Sequence, residues 1–89
     1  MGEHTIIVLK EMCNRVNADY DSIDFKAERW SMEYSWTEKE QDEFKDWLAD
    51  YLYNNTKARR EITGYNIKNK KSCNTTAMWF AFNFGWKYK

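Results

Sequence analysis

Several residue types that support particular folds and chemistries are scarce in this chain of 89 residues. Proline is absent and glycine occurs three times, so flexible linkers and low-complexity tracts are not expected. Gly2, Gly64 and Gly85 stand far apart, which excludes a P-loop and a dinucleotide-binding loop. No apolar run approaches the roughly 20 residues of a membrane-spanning helix. The composition therefore indicates one small domain over residues 1–89 and no membrane partner.

Cysteine and histidine are equally rare. Cys13, Cys73 and the single histidine, His4, are too few for an ordinary zinc site. The N-terminal sequence MGEHTIIVLKEM has an acidic residue where a signal peptide carries positive charge, and its apolar run is short. We therefore expect a cytoplasmic protein with both thiols reduced in its core, His4 as a solvated residue near the start of the chain, and neither a metal ion nor a cofactor.

Catalytic groups are also missing from the sequence. A nucleophilic triad would have to use His4, which we expect to lie in a frayed terminus. The acidic cluster Asp19, Asp21 and Asp24 lacks the glycine and the terminal glutamate of a calcium loop. Carboxylates in the first turns of a solvated helix are held ionised and alike, which does not suit acid–base catalysis. We predict no catalytic residues, no metal ligands and no enzyme.

The best-defined element is a helix predicted over residues 37–54. Thr37 is a good N-cap, and Glu40 stands three residues later, which is the spacing of a capping box. Acidic residues crowd the first turns, where the helix dipole favours negative charge. An apolar stripe follows at helical spacing, formed by Phe44, Trp47, Leu48, Tyr51 and Leu52.

Two other segments are predicted to be helical. Residues 4–17 carry apolar side chains at helical spacing, namely Ile6, Leu9, Met12, Cys13 and Val16. Part of this segment, the run TIIVL, could instead form a short strand. Thr56 is predicted to cap a short helix over 57–62, which Gly64 ends.

The last segment has two regular interpretations. As a helix from about residue 68, it carries Cys73, Ala77, Phe80, Ala81 and Phe84 on one face, with Gly85 as the left-handed residue that ends it and Trp86 folding back. As a strand, its aromatic residues alternate with a period of two. Residues 29–36 alternate in the same way. We predict a mainly α fold of about four helices with an extended segment at 22–36; the alternative is an α+β fold with strands near 29–36 and 77–88.

Charge is divided unevenly along the chain, although its formal net charge is zero. Residues 1–56 hold six Lys and Arg against thirteen Asp and Glu, a net charge of −7, and residues 57–89 hold eight against one, a net charge of +7. One interpretation is that the acidic helix packs against the basic half and the charges offset each other across a solvated seam. The other is that one charged surface meets a macromolecular partner.

Two candidate binding surfaces follow from this division. The acidic one lies on the helix at 37–54 and contains Glu38, Asp42, Glu43, Asp46 and Asp50. The basic and aromatic one contains Lys57, Arg59, Arg60, Lys68, Lys70, Lys71, Trp86, Lys87 and Tyr88. The acidic surface would steer the chain towards a basic protein, whereas the basic surface would contact phosphates and stack on bases.

The order of several short pieces resembles a group of known proteins. These pieces are Asp19–Phe25, Trp36–Glu38, Phe44–Leu48 with Tyr51 and Leu52, and Asn83–Lys87. From about residue 19 onward the chain is similar to small uncharacterised proteins encoded by tailed bacteriophages and prophages. The resemblance implies a phage origin and an intracellular setting in an infected bacterium, and it brings no known activity and no functional residues.

The function predicted from the sequence is non-enzymatic binding. We expect a small protein that binds and modulates a host or phage protein in the bacterial cytoplasm; the alternative is a nucleic-acid-binding accessory protein that uses the basic C-terminal half. Sixteen aromatic residues exceed what one small core readily buries, so a homodimer is also allowed.

Overall fold

Four α-helices make up most of the structure. The computed structural model describes residues 2–22, 37–64 and 68–85, with residues 82–85 described in their backbone alone. The elements are α1 (Glu3–Arg15), a short 3-10 helix (Tyr20–Ser22), α2 (Glu38–Asn54), α3 (Thr56–Thr63) and α4 (Lys70–Gly85). No strand occurs in these three ranges, so the prediction of a mainly α fold is confirmed.

The alternative α+β fold is wrong for the C-terminal segment, because residues 77–85 belong to α4. Its proposed partner, residues 29–36, lies outside the described residues. So does the predicted extended segment, apart from Ser22, which ends the 3-10 helix. Trp86, which was predicted to fold back on α4, is also outside them.

Local sequence signals set the ends of α2 and α3. The Thr37 hydroxyl accepts from the Glu40 backbone N–H at 3.1 Å, and the Glu40 carboxylate accepts from the Thr37 N–H at 2.8 Å, which confirms the capping box. The cap of α3 is Asn55, whose side chain accepts from the Ala58 N–H at 3.1 Å, so the prediction of Thr56 was wrong by one residue. Asparagine caps a helix at least as well as threonine, and Asn55 has the extended backbone that a cap requires. Gly64 ends α3 with φ of 78°, as predicted.

The core lies between α1, α2 and α4. Phe44, Leu48 and Leu52 form the buried ridge of α2. The side chains that cover this ridge are Val8, Leu9 and Met12 of α1, Ala58 of α3, and Cys73, Ala77 and Ala81 of α4. Because the α4 residues in this group are small, α4 can approach α2 closely, and these two helices make the most extensive contact in the bundle.

The two central helices run antiparallel. The Gln41 side chain near the start of α2 donates to the Ala81 carbonyl in the C-terminal half of α4, at 3.2 Å. At the other end, Tyr53 of α2 lies beside Lys70 of α4. This arrangement sets which charged residues of α2 and α4 are neighbours.

Burial follows the predicted helix faces with some shifts. Cys13 and Cys73 are free and buried, as expected. Ile6 of α1 and Val16 just after it are only half-buried, whereas Val8, which the periodicity did not select, is completely buried. The reason is that α1 contacts both α2 and α3, so its buried face is wider than a single stripe. Among the described residues no helix is both long enough and apolar enough to span a bilayer.

Candidate functional site

The five predicted carboxylates of α2 form one exposed row, which we call the acidic stripe: Glu38, Asp42, Glu43, Asp46 and Asp50. The row faces water because the opposite side of α2 carries its buried ridge. Two of its members have lysine partners: Lys39 Nζ lies 3.9 Å from Glu43, and Lys45 Nζ lies 3.6 Å from Asp46. Exposed pairs at such distances contribute roughly 0–1 kcal/mol each. Within the described ranges Glu38, Asp42 and Asp50 have no ion-pair partner at all.

The C-terminal half of the acidic stripe faces cations of α4. Asp46 and Asp50 share with Lys70 and Lys71 an open groove of about 610 Å³ between α2 and α4. The remaining lining residues are Ala49, Tyr53 and Asn74. The predicted seam between the acidic helix and the basic half therefore exists here, although no ion pair closes it among the residues described.

The N-terminal half of the acidic stripe lies away from this seam. Gln41 sits beside Ala81, which is eleven residues after Lys70, a distance of about 16 Å along the helix. That separation is about twice the screening length of roughly 8 Å at physiological ionic strength. The negative charge of Glu38, Asp42 and Glu43 is therefore not offset by Lys70 and Lys71.

Five cations of the predicted basic surface are exposed: Lys57, Arg60, Lys68, Lys70 and Lys71. Two of them lie over the same aromatic ring, with Lys68 Nζ at 4.7 Å and Lys70 Nζ at 5.3 Å from the centre of Tyr53. These cation–π contacts hold two of the basic residues against a ring of α2. Trp86, Lys87 and Tyr88, which were predicted to complete this surface, lie outside the described residues.

Arg59 does not belong to the exposed basic surface on which the sequence placed it, because only 4% of it is exposed. Its Nη1 donates to the carbonyl oxygens of Leu52 at 3.1 Å and Tyr53 at 2.7 Å, and its Nη2 donates to the Thr56 hydroxyl at 3.2 Å. The last four carbonyls of a helix have no partner within it. Arg59 turns inward because it supplies donors to two of these carbonyls at the end of α2.

His4 was expected to be solvated and frayed, and that expectation was wrong. It lies in the first turn of α1, half-buried, and its Nδ1 shares a hydrogen bond of 2.7 Å with the Tyr51 hydroxyl. The Glu61 carboxylate of α3 accepts from the backbone N–H groups of His4 at 3.2 Å and Thr5 at 2.5 Å, and from the Thr5 hydroxyl at 2.8 Å. Glu61 thus caps α1 from another helix, where Gly2 provides no side-chain cap.

The titration of this cluster agrees with a structural role. Partial desolvation would raise the pKa of Glu61, but the hydrogen bonds from Thr5 and His4 outweigh it and hold that pKa below its ordinary value. Burial, with the negative charges of Glu61 and Glu3, raises the pKa of Tyr51, so its hydroxyl stays protonated. Across the three described ranges, no group of three His, Cys, Asp or Glu residues is placed to hold a metal ion.

One exposed aromatic residue was not singled out from the sequence. Trp79 of α4 is 61% exposed, and its ring meets the edge of Phe80 at 5.3 Å between centres. The helical spacing of Cys73, Ala77 and Ala81 could have identified it, since position 79 lies on the side opposite to these buried residues.

Comparison of the chain with protein-family models, with curated proteins and with solved structures found no match.

Proposed function

We propose that this chain is a non-enzymatic binding protein whose acidic stripe docks on a basic surface of a protein. The observation that carries the proposal is the exposed row of five carboxylates on α2, of which two have lysine partners among the described residues, at 3.9 and 3.6 Å. Clustered charge of one sign raises the rate of encounter with a surface of opposite sign. The resemblance to phage-encoded proteins supports a bacterial host or phage protein as the partner.

We assign the first contact with the basic partner to the N-terminal half of the acidic stripe. Glu38, Asp42 and Glu43 lie beyond the screening length from the lysines of α4. A basic partner would therefore meet a negative potential there that Lys70 and Lys71 do not neutralise and that Lys39 offsets only at Glu43. Nearer the groove, Lys70 and Lys71 weaken the attraction and would set the edge of the contact.

Two features favour a protein over a nucleic acid as the partner. Arg59, one of the six cations expected to contact phosphates between residues 57 and 71, is engaged with α2. Lys68 and Lys70 lie over the Tyr53 ring, so a base that stacked on the part of the ring they cover would have to displace them. The acidic stripe would also repel a polyanion.

The experiment compares two matched variants in affinity purification from bacterial cells followed by mass spectrometry. Asp42→Asn with Glu43→Gln removes two charges from the stripe, and Glu3→Gln with Asp21→Asn removes two exposed charges elsewhere. We expect to recover a basic protein, with less of it bound at higher salt. The affinity for this protein should fall about tenfold in the stripe variant alone, since each exposed charge contributes up to about 1 kcal/mol.

Two outcomes would contradict the proposal. If both variants recover the partner equally, the acidic stripe is not the docking surface. If the chain instead retains single-stranded DNA or RNA, and Arg60→Glu with Lys71→Glu abolishes this binding, the nucleic-acid alternative holds.

A further inference from the structure

A second cavity lies between the end of α3 and the start of α4, away from the acidic stripe. Its volume is about 450 Å³, within the range of roughly 300–1,000 Å³ that holds small ligands. Apolar atoms make up most of the exposed wall, and the polar groups at its border belong to Arg59, Asn69, Lys71, Ser72, Thr75 and Thr76. Several hydrogen-bond donors therefore border this space.

Arg59 lines the cavity, and one of its buried donors is unused. Among the described residues, its Nε is the one buried side-chain nitrogen or oxygen without a hydrogen-bond partner. The guanidinium is planar, so the donors that bind the end of α2 through Nη1 lie on a different edge from Nε–H. A buried donor left without an acceptor is costly, which makes this atom an indicator of a missing acceptor.

The positive charge of Arg59 also indicates that a partner is missing. Its described contacts are two carbonyl oxygens and one hydroxyl, and none of the described ion pairs gives it a carboxylate. Buried charges are normally paired with an opposite charge. The cavity beside Arg59 is where such an anion could be placed.

The start of α4 also favours an anion in this cavity. Asn69 caps the helix by accepting from the Ser72 N–H at 3.1 Å, and the Cys73 N–H is bonded to the Asn69 carbonyl at 3.1 Å. The preceding N–H groups of Lys70 and Lys71 belong to the positive end of the helix dipole, which favours anions. The Lys71 side chain lies in the wall of the same cavity.

We propose that this cavity binds the phosphate group of a small molecule, held by Arg59 Nε, the Lys71 side chain and the N-terminal turn of α4. A phosphate has enough acceptor oxygens to use the guanidinium, the ammonium and the neighbouring hydroxyls at once. This site shares Lys71 with the groove beside the acidic stripe, but the proposal does not rest on the function proposed for the stripe.

The test uses inorganic phosphate as the probe and the full chain labelled with ¹⁵N. Near neutral pH, phosphate is titrated against sodium chloride at matched ionic strength, and the side-chain Nε–H resonance of Arg59 is followed with the backbone amides of Lys70 and Lys71. We expect a saturable shift of these resonances with phosphate that chloride does not reproduce.

Variants then test the wall of the cavity. Lys71→Gln should weaken phosphate binding roughly tenfold, the loss expected for one charge-assisted hydrogen bond. Lys57→Gln, which removes an exposed charge from α3 outside the cavity, should leave the affinity unchanged. Ser72→Ala retains the backbone cap and should weaken binding by a smaller factor. All three positions are exposed, so these variants are expected to fold.

Three results would overturn the proposal. The first is an Arg59 Nε–H resonance that phosphate does not move, and the second is an equal shift in chloride. The third is equal phosphate affinity in Lys71→Gln and Lys57→Gln. If a short single-stranded oligonucleotide moves the resonance and inorganic phosphate does not, the cavity is not a small-molecule phosphate site.

Discussion

Replacing Arg59 by methionine gives the sharpest test of how α2 and α3 are joined. Methionine retains much of the apolar stem of arginine but cannot donate to the carbonyls of Leu52 and Tyr53. The Tyr53 carbonyl and the Thr56 hydroxyl are only partly buried, so water can replace the lost donors there. The Leu52 carbonyl is buried and would lose this donor without replacement.

The magnitude follows from this difference in burial. A buried carbonyl left unpaired costs about 1–3 kcal/mol, and losing a cation at the end of α2 costs about 0.3–1 kcal/mol more. Arg59 has no opposite charge beside it among the described residues, so removing its buried charge offsets part of this loss of stability. We therefore expect Arg59→Met to lower the free energy of unfolding by about 2–3 kcal/mol, against a total of roughly 4–13 kcal/mol for a chain of this length.

Urea unfolding followed by circular dichroism measures this change. The midpoint should fall by about 1–2 M, given typical slopes of about 1–3 kcal/mol per molar urea. Arg60→Met is the matched control, because Arg60 is the next residue and is exposed, so its free energy of unfolding should change by at most about 0.5 kcal/mol. Phosphate must be left out of the buffer, since an anion bound at Arg59 would stabilise the wild type alone. Equal stability of the two variants would refute this account of Arg59.

Three further outcomes are expected. Because the pKa of Glu61 lies below its ordinary value of 4.5, the stability its carboxylate contributes at neutral pH should be lost as pH falls through that lowered pKa. Glu61→Gln should remove this part of the pH dependence of urea midpoints. Burial, with the charge of Asp19, raises the pKa of the Cys13 thiol to about 11, so Cys13 should react with a thiol reagent at neutral pH only after denaturation. Thr37→Ala should lower the free energy of unfolding by about 1 kcal/mol through loss of the capping box.

Each of these has a result that would contradict it. Urea midpoints of wild type and Glu61→Gln that fall in parallel below pH 4.5 would show that Glu61 does not cap α1. Rapid labelling of Cys13 in the native protein would show that its thiol is accessible. An unchanged midpoint in Thr37→Ala would mean that the start of α2 is held by tertiary contacts alone.

Local signals accounted for most of the helices. The capping box at Thr37 and Glu40 and the left-handed Gly64 act within a few residues of their own positions, so they could be recognised without the rest of the chain. The acidic stripe followed from the same helix, because a buried ridge at Phe44, Leu48 and Leu52 leaves the opposite face in water.

The C-terminal segment could not be assigned in this way. Its aromatic residues fit a period of two, and its small residues fit a period of 3.6. The choice depends on the neighbour: Cys73, Ala77 and Ala81 meet the ridge of α2 only if the segment is helical. In that form Trp79 is turned towards water.

The candidate sites likewise divide into features set by one segment of the chain and features set by contacts between segments. The amino-acid sequence alone determined that α2 is an amphipathic, capped helix with exposed carboxylates, since spacing and capping are properties of one segment. Only the tertiary structure decided that Arg59 is buried and that Glu61 caps α1. Both side chains form hydrogen bonds with backbone groups that have no partner within their own helix, at the end of another helix. Which helix end lies within reach depends on how the chain folds back on itself.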